Sequence, residues 1–95
     1  MINRELVINA LMGCVDPELG IDVWTLGLIY DLSITNTDVK ITMTFTSPMC
    51  PYGPVMLEDL KERLSKVAGV KNIEVNVVFE PPWQPSKEIR SLLGL

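Results

Sequence analysis

The fold is decided by residues 39–54, which read VKITMTFTSPMCPYGP. The first eight alternate apolar and polar side chains, and this period of two predicts a β-strand with one buried face. Two prolines and a glycine then interrupt the alternation, and Pro54 suits the first turn of a helix. The stretch therefore predicts a strand over 39–46, a tight turn that carries Cys50, and a helix over 54–67.

The same alternation recurs on both sides of this stretch. Residues 26–35 predict a strand, and the polar run 35–38 predicts the turn that joins it to strand 39–46 as an antiparallel hairpin. Residues 72–79 predict a third strand, with alternate residues from Ile73 to Phe79 facing inward. Because the helix between the second and third strands forms a right-handed crossover, we expect those two strands to be parallel.

Apolar side chains at three- and four-residue spacing predict a first helix over 3–14. In the helix over 54–67 they predict a buried stripe of Leu57, Leu60, Leu64 and Val67. Ser86 suits the N-cap of a short helix that ends at Leu93. We expect a single domain over 1–95 of the α+β class: a two-layer α-β-β-α-β arrangement with a three-stranded mixed sheet, helices on one face and a short C-terminal helix.

Composition excludes several functional classes. The net charge is −4 and no run of Lys or Arg occurs, so nucleic acids and anionic membranes are not expected partners. No apolar stretch approaches the roughly 20 residues that span a bilayer, and no secretory signal is visible, so the cytoplasm is the expected location. Histidine is absent, which removes the commonest general base and zinc ligand. We therefore expect a protein that is not an enzyme.

Cys50 is the residue most suited to chemistry. A thiol at a strand-to-helix turn feels the positive end of the helix dipole, which favours the thiolate that ligates iron or attacks an electrophile. Thr46 and Ser47 carry hydroxyl groups that could donate to the sulfur. The alternative is that Cys50 is a small buried hydrophobe, as many free cysteines are. Spacing alone does not decide between the two interpretations.

Three further features allow two interpretations each. Cys14 lies on the apolar stripe of the first helix, so we expect it in the core. Asp16, Glu18 and Asp22 could bind a metal, although carboxylates in a turn more often cap the turn itself. Trp83 lies between prolines, where it could anchor a partner or fold back as a lid over the core.

Four motifs together resemble the SufT/PaaD-like family of iron–sulfur cluster assembly proteins. They occur in the family's order and span nearly the whole chain: DPELGI at 16–21, LGLIYD at 26–31, TMTFTSPMCP at 42–51 and FEPPWQP at 79–85. The resemblance implies a domain similar to the C-terminal domain of NifU scaffolds. This chain lacks the C-x-x-C with which those scaffolds bind clusters.

The resemblance also implies a function and a site. It implies that Cys50 holds iron or an iron–sulfur cluster transiently, with none stably bound by the monomer, because a cluster normally takes four protein ligands. The family positions implied to surround this cysteine are Asp16, Glu18, Leu19, Thr46 and Ser47. The implied partners are iron–sulfur assembly proteins and client apoproteins, and a homodimer would supply a second cysteine. The alternative is a PaaD-type adaptor that docks partners through its polar sheet face and Trp83.

Overall fold

The computed structural model describes residues 2–46 and 52–94. Within them the chain forms three helices and three strands in the predicted order. The elements are α1 (Arg4–Met12), β1 (Ile29–Thr35), β2 (Asp38–Met43), α2 (Gly53–Ser65), β3 (Asn72–Val77) and α3 (Lys87–Leu93).

The sheet has the strand order β1-β2-β3. β1 and β2 are antiparallel, with Thr35 opposite Asp38 at the turn, and Asn36 supplies the positive φ of 37° there. β2 and β3 are parallel, from the pair Asp38 and Asn72 onward. The predicted hairpin and the predicted parallel crossover are both confirmed, as is the mixed three-stranded sheet.

The core lies between one face of the sheet and the two longer helices. Val39, Ile41 and Met43 of β2 are buried beneath α1 and α2, as the alternation predicted. The opposite face of the sheet carries exposed polar side chains, which include Ser33 of β1 and Lys40 of β2. The two-layer arrangement follows, because a sheet with one apolar face is stabilised when helices cover only that face.

Three predicted strand limits are wrong: the start of β1, the end of β2 and the end of β3. β1 begins at Ile29 instead of Leu26, because residues 23–27 form a turn in which Gly27 has a φ of +76°. β2 ends at Met43 instead of Thr46. The alternation therefore no longer applies to Thr44, which we expected on the polar face and which is only 1% exposed. Its backbone N–H donates to the Leu28 carbonyl at 2.9 Å, outside the regular ladder.

Three inward-facing predictions also need correction. α2 buries Met56 together with Leu60 and Leu64, whereas Leu57 is only half-buried. Val67 is also half-buried, and it lies beyond the end of α2 at Ser65. The helix begins at Gly53 and packs against α1. Phe79 was expected to face inward, but β3 ends at Val77 and the Phe79 ring is 45% exposed.

The helix ends follow ordinary capping chemistry. Asn3 accepts a hydrogen bond from the Glu5 backbone N–H at 2.8 Å and begins α1. Ser86 accepts one from the Ile89 N–H at 3.2 Å and begins α3, which confirms its predicted role. Among the described residues, no helix combines the length and apolar character that crossing a membrane requires.

Candidate functional site

The predicted site begins where the chain leaves the sheet. Phe45 and Thr46 follow the end of β2, and Tyr52 precedes α2, so residues 47–51 join a strand end to a helix start. Cys50 and Ser47, two of the predicted site residues, lie outside the described residues. Thr46 is half-buried and lies three residues beyond the end of β2.

The start of α2 has no side-chain cap from its N-cap residue. Tyr52 occupies the N-cap without a side-chain hydrogen bond to the first turn, and Pro54 occupies the first turn itself. The N–H groups of the first turn of α2 and the positive end of its dipole therefore lack a side-chain cap from Tyr52. An anion held at this point would be stabilised, and a thiolate is such an anion.

Asp16 is the predicted site residue with the least ordinary environment. It is 1% exposed, and its Oδ1 accepts hydrogen bonds from the backbone N–H groups of Glu18 at 2.8 Å and Leu19 at 3.2 Å. Its Oδ2 is buried and has no hydrogen-bond partner among the residues that the structure describes. A buried carboxylate oxygen without a partner is costly, so it needs a reason beyond the turn.

The Asp16 loop is held in place by backbone hydrogen bonds at its neck. The Asp16 N–H donates to the Ile21 carbonyl at 3.0 Å, and the Gly20 N–H donates to the Asp16 carbonyl at 2.7 Å. Leu19 is half-buried against the core, whereas Glu18 is exposed. The loop therefore fixes the Asp16 carboxylate in the protein and leaves Glu18 at the surface.

Cys14 connects this loop to α2. Its thiol is completely buried and donates to the Met56 carbonyl in the first turns of α2, with an Sγ–O distance of 3.7 Å. Asp16 follows Cys14 by two residues, so the loop that carries its Oδ2 begins next to a residue that contacts the first turns of α2. The prediction that Cys14 lies in the core is confirmed.

The surroundings of the Cys14 thiol disfavour its ionisation in the folded chain. Burial, and then the neighbouring Asp59 carboxylate, raise the pKa of Cys14 to about 12, and Asp16 adds to the same effect. Arg63 opposes this effect, and its Nε lies 3.1 Å from both Asp59 carboxylate oxygens. At neutral pH Cys14 is therefore a protonated core residue and cannot supply a thiolate ligand.

Within the part of the chain that the structure describes, the three carboxylates of the first loop are not gathered into a metal site. Asp22 accepts hydrogen bonds from the Thr25 hydroxyl at 2.7 Å and the Thr25 N–H at 2.9 Å, and so caps its own turn. Over residues 2–46 and 52–94, no three acidic or cysteine side chains lie close enough together to hold a metal ion. The turn-capping interpretation of Asp16 and Asp22 is confirmed by these contacts.

Trp83 folds back onto the domain. Its indole N–H donates to the Leu26 carbonyl at 2.7 Å, and the ring packs against the core while remaining half-buried. The lid interpretation describes these contacts. Its use as a partner anchor stays a prediction.

Two features near the site escaped the sequence analysis. Phe45 packs against Phe79 with ring centroids 6.4 Å apart, and also against Gly53 at the start of α2. The Tyr30 hydroxyl donates to the Pro81 carbonyl at 2.8 Å. A tyrosine in an apolar alternation does signal a buried ring with a hydroxyl that needs a partner, but the partner lies 51 residues away.

The fold and this junction define a class before any comparison is made. The chain is a small α+β domain with a buried Asp16 carboxylate, two residues after a cysteine whose thiol contacts the first turns of α2. Its other cysteine, Cys50, precedes α2 in the sequence, and a cluster normally takes four protein ligands.

Comparison with known proteins gives the family. Residues 4–77 match the family described as "Iron-sulfur cluster assembly protein". The chain is 41% identical to the Fe-S protein maturation auxiliary factor YitW of Bacillus subtilis, over 92% of this chain and 86% of that protein. It is also 41% identical to the Fe-S protein maturation auxiliary factor SufT of Staphylococcus aureus, over 73% of this chain and 80% of that protein. The chain belongs to the iron–sulfur cluster assembly protein family.

A solved structure supports the predicted fold. The conserved hypothetical protein TM0487 from Thermotoga maritima is 45% identical and superposes with a TM-score of 0.87, covering 99% of this chain and 96% of that one. The predicted resemblance to the SufT/PaaD-like family and the predicted fold class are confirmed.

Proposed function

We propose that this chain is an auxiliary factor in the maturation of iron–sulfur proteins, and that Cys50 holds iron or a cluster in transit to client apoproteins. Family membership supports the first part, since two relatives at 41% identity are named as maturation auxiliary factors. The start of α2 supports the second part, because Tyr52 makes no side-chain hydrogen bond to the first turn and the helix dipole would favour a thiolate there.

The single observation that carries the site proposal is that the buried Oδ2 of Asp16 has no hydrogen-bond partner within residues 2–46 and 52–94. A buried carboxylate oxygen left in this way is costly, so we infer that it serves a function besides stability. We propose that Asp16 accepts the proton that the Cys50 thiol must release before the sulfur ligates iron. The Glu18 and Leu19 N–H groups hold Oδ1, so that Oδ2 keeps a fixed direction.

The cargo must be shared with other molecules. A cluster normally takes four protein ligands, and with Cys14 protonated in the core the chain can offer only the Cys50 thiolate. The remaining ligands would come from assembly proteins, client apoproteins, small thiols or a second copy of the chain. The iron or cluster is therefore proposed as cargo that passes to another protein. The absence of catalysis and the cytoplasmic location stay predictions.

The test is maturation of a client in cells. The chain, its Cys50→Ser variant and its Cys14→Ala variant would be expressed in S. aureus lacking SufT, and the activity of a host iron–sulfur dehydratase would be measured per amount of its polypeptide. We expect wild type and Cys14→Ala to restore activity, and Cys50→Ser to fail at equal abundance. Full restoration by Cys50→Ser would instead favour the adaptor function, in which the exposed polar sheet face docks partners without the thiol.

A further inference from the structure

The two edges of the sheet differ in how well they are protected against a further strand. In β1 the register is irregular between Ile29 and Asp31, and the Tyr30 hydroxyl donates to the Pro81 carbonyl at 2.8 Å. The six residues of β3 pair with β2 without a shift in register, and they include no proline and no lysine. Because bulges, prolines and lysines are the usual means of blunting an edge strand, the β3 edge lacks the protection that β1 has.

The outer edge of β3 presents the backbone groups of every second residue. In a parallel pair, a strand directs the N–H and C=O of alternate residues to its neighbour, and those of the intervening residues to the other side. The Val78 N–H donates to the Met43 carbonyl at 2.8 Å, so the even-numbered residues bond to β2. Ile73, Val75 and Val77 therefore direct their N–H and C=O groups outward, and no strand within residues 2–46 and 52–94 pairs with that side.

The side chains of these three β3 residues are incompletely covered. They face the same side of the sheet as their register partners in β2, because residues directly opposite each other in a sheet share a face. The β3 side chains are only half-buried, whereas their β2 partners are fully buried: Val39, Ile41 and Met43. A strand added at this edge would therefore cover apolar surface as well as backbone groups.

We propose that the β3 edge pairs with the β3 edge of a second copy of the chain, as antiparallel strands related by a twofold axis at Val75. Val75 then lies opposite Val75 of the second copy, and Ile73 lies opposite Val77 of the second copy. Each such pair of outward-directed residues can exchange two backbone hydrogen bonds. Any other antiparallel register leaves at least one of the three residues opposite a position outside β3.

The polar face of the strand favours a second copy as the occupant. In this register Glu74 lies opposite Asn76 of the second copy, and the twofold symmetry forms that pair twice. Both side chains are exposed, and the amide can donate to the carboxylate. A register centred on Glu74 would instead place two like charges directly opposite each other, which is destabilising. β3 is therefore complementary to itself in charge as well as in backbone pairing.

The test places opposite charges at one exposed position of the full chain. Asn76→Lys puts an ammonium group opposite Glu74 of the second copy, and Asn76→Glu puts a like charge there. Ser33→Lys and Ser33→Glu are the matched controls, because Ser33 is exposed on the same face in β1 and these changes alter the net charge equally. Sedimentation equilibrium from about 10 µM to 1 mM gives the Kd of dimerisation, and urea unfolding checks that each variant is folded.

We expect wild type to dimerise in this range. Asn76→Lys should lower the Kd about fivefold and Asn76→Glu should raise it about fivefold, since each dimer contains two such cross-strand pairs. The Ser33 variants should leave the Kd within about twofold of wild type, because β1 lies away from the interface. Amide hydrogen exchange should slow at Ile73, Val75 and Val77 as the protein concentration rises.

Three results would overturn the inference. They are a chain that stays monomeric at about 1 mM, a Kd that responds to Ser33 as it does to Asn76, and protection of the three β3 amides only after an apo-client is added. The last result would assign the edge to a strand of the client instead of a second copy. All three leave the proposed function standing, because that function is tested by Cys50→Ser.

Discussion

The two carboxylate oxygens of Asp16 lie in different environments. Oδ1 closes the turn through two backbone N–H groups, which any turn aspartate does. Oδ2 is buried without a partner among the described residues, which costs roughly 1–3 kcal/mol in a typical protein. The motif could be predicted to form a turn, but the burial of its carboxylate depends on packing between distant segments, which no local pattern encodes.

Asp16→Asn tests the turn-forming role of the side chain separately from its proposed role as a proton acceptor. The amide keeps an acceptor for the turn and removes a buried charge, so the free energy of unfolding should stay equal or rise. Client maturation should fall by at least about tenfold, because the proton acceptor for Cys50 is lost. The measurement is dehydratase activity in the complementation strain, with urea unfolding in parallel. Asp31→Asn, which changes an exposed carboxylate in β1, should leave both unchanged. Undiminished maturation by Asp16→Asn would remove Asp16 from the site.

Cys14 should make stability depend on alkaline pH. The folded chain holds the thiol proton up to a pKa of about 12, whereas the unfolded chain releases it near 9.0. Because the folded pKa is the higher one, this contribution is complete below pH 9 and is lost as the pH rises from 9 toward 12. Urea unfolding between pH 8 and 11 should show wild type losing about 1.4 kcal/mol per pH unit relative to Cys14→Ala above pH 9. Parallel curves would mean that Cys14 ionises within the fold.

At the scale of elements, the contact between Phe45 and Gly53 sets how closely α2 approaches the end of β2. A methyl group on Gly53 would lie 2.9 Å from Cε2 and 3.1 Å from Cζ of Phe45, so Gly53→Ala must displace the ring or the helix start. We expect a loss of about 1–3 kcal/mol in the free energy of unfolding, despite the better helix propensity of alanine. Urea unfolding measures it, with the exposed α2 change Lys61→Ala as control.

A second substitution checks the cause of that loss. Phe45→Leu makes room beside residue 53, so the double variant should recover part of the stability that Gly53→Ala loses relative to its own background. Additive losses in the two single variants would show that the ring does not lie on the helix start.

Which elements form was predictable, but where they end was less so. The alternation in β2 identified Val39, Ile41 and Met43 as buried, because successive side chains of a strand point to opposite faces of the sheet. It was wrong for Thr44, where the strand has ended and a bond to Leu28 decides burial. In α2, the choice between Met56 and Leu57 depended on the position of α1, which is tertiary information.

At the scale of the whole molecule, one face of the sheet is covered by helices and the other is exposed. Its apolar face is covered by α1 and α2 and supplies the core, and its polar face remains exposed. The start of α2 and the first residues of the segment 78–86 lie at the end of the sheet where β2 and β3 finish. The crossover rule predicted the parallel pair and so the position of the junction. The course of residues 78–86 could not be predicted, because their prolines exclude regular structure without indicating a direction.

The central claim is that iron or a cluster passes through Cys50, and one measurement addresses it directly. The chain would be supplied anaerobically with iron, sulfide and a small thiol, then mixed with an apo-dehydratase whose recovered activity is followed over time. Wild type and Cys14→Ala should activate the client at the same rate, and Cys50→Ser should activate it no faster than the reagents alone while keeping its unfolding midpoint. Activation by Cys50→Ser at the wild-type rate would contradict the claim.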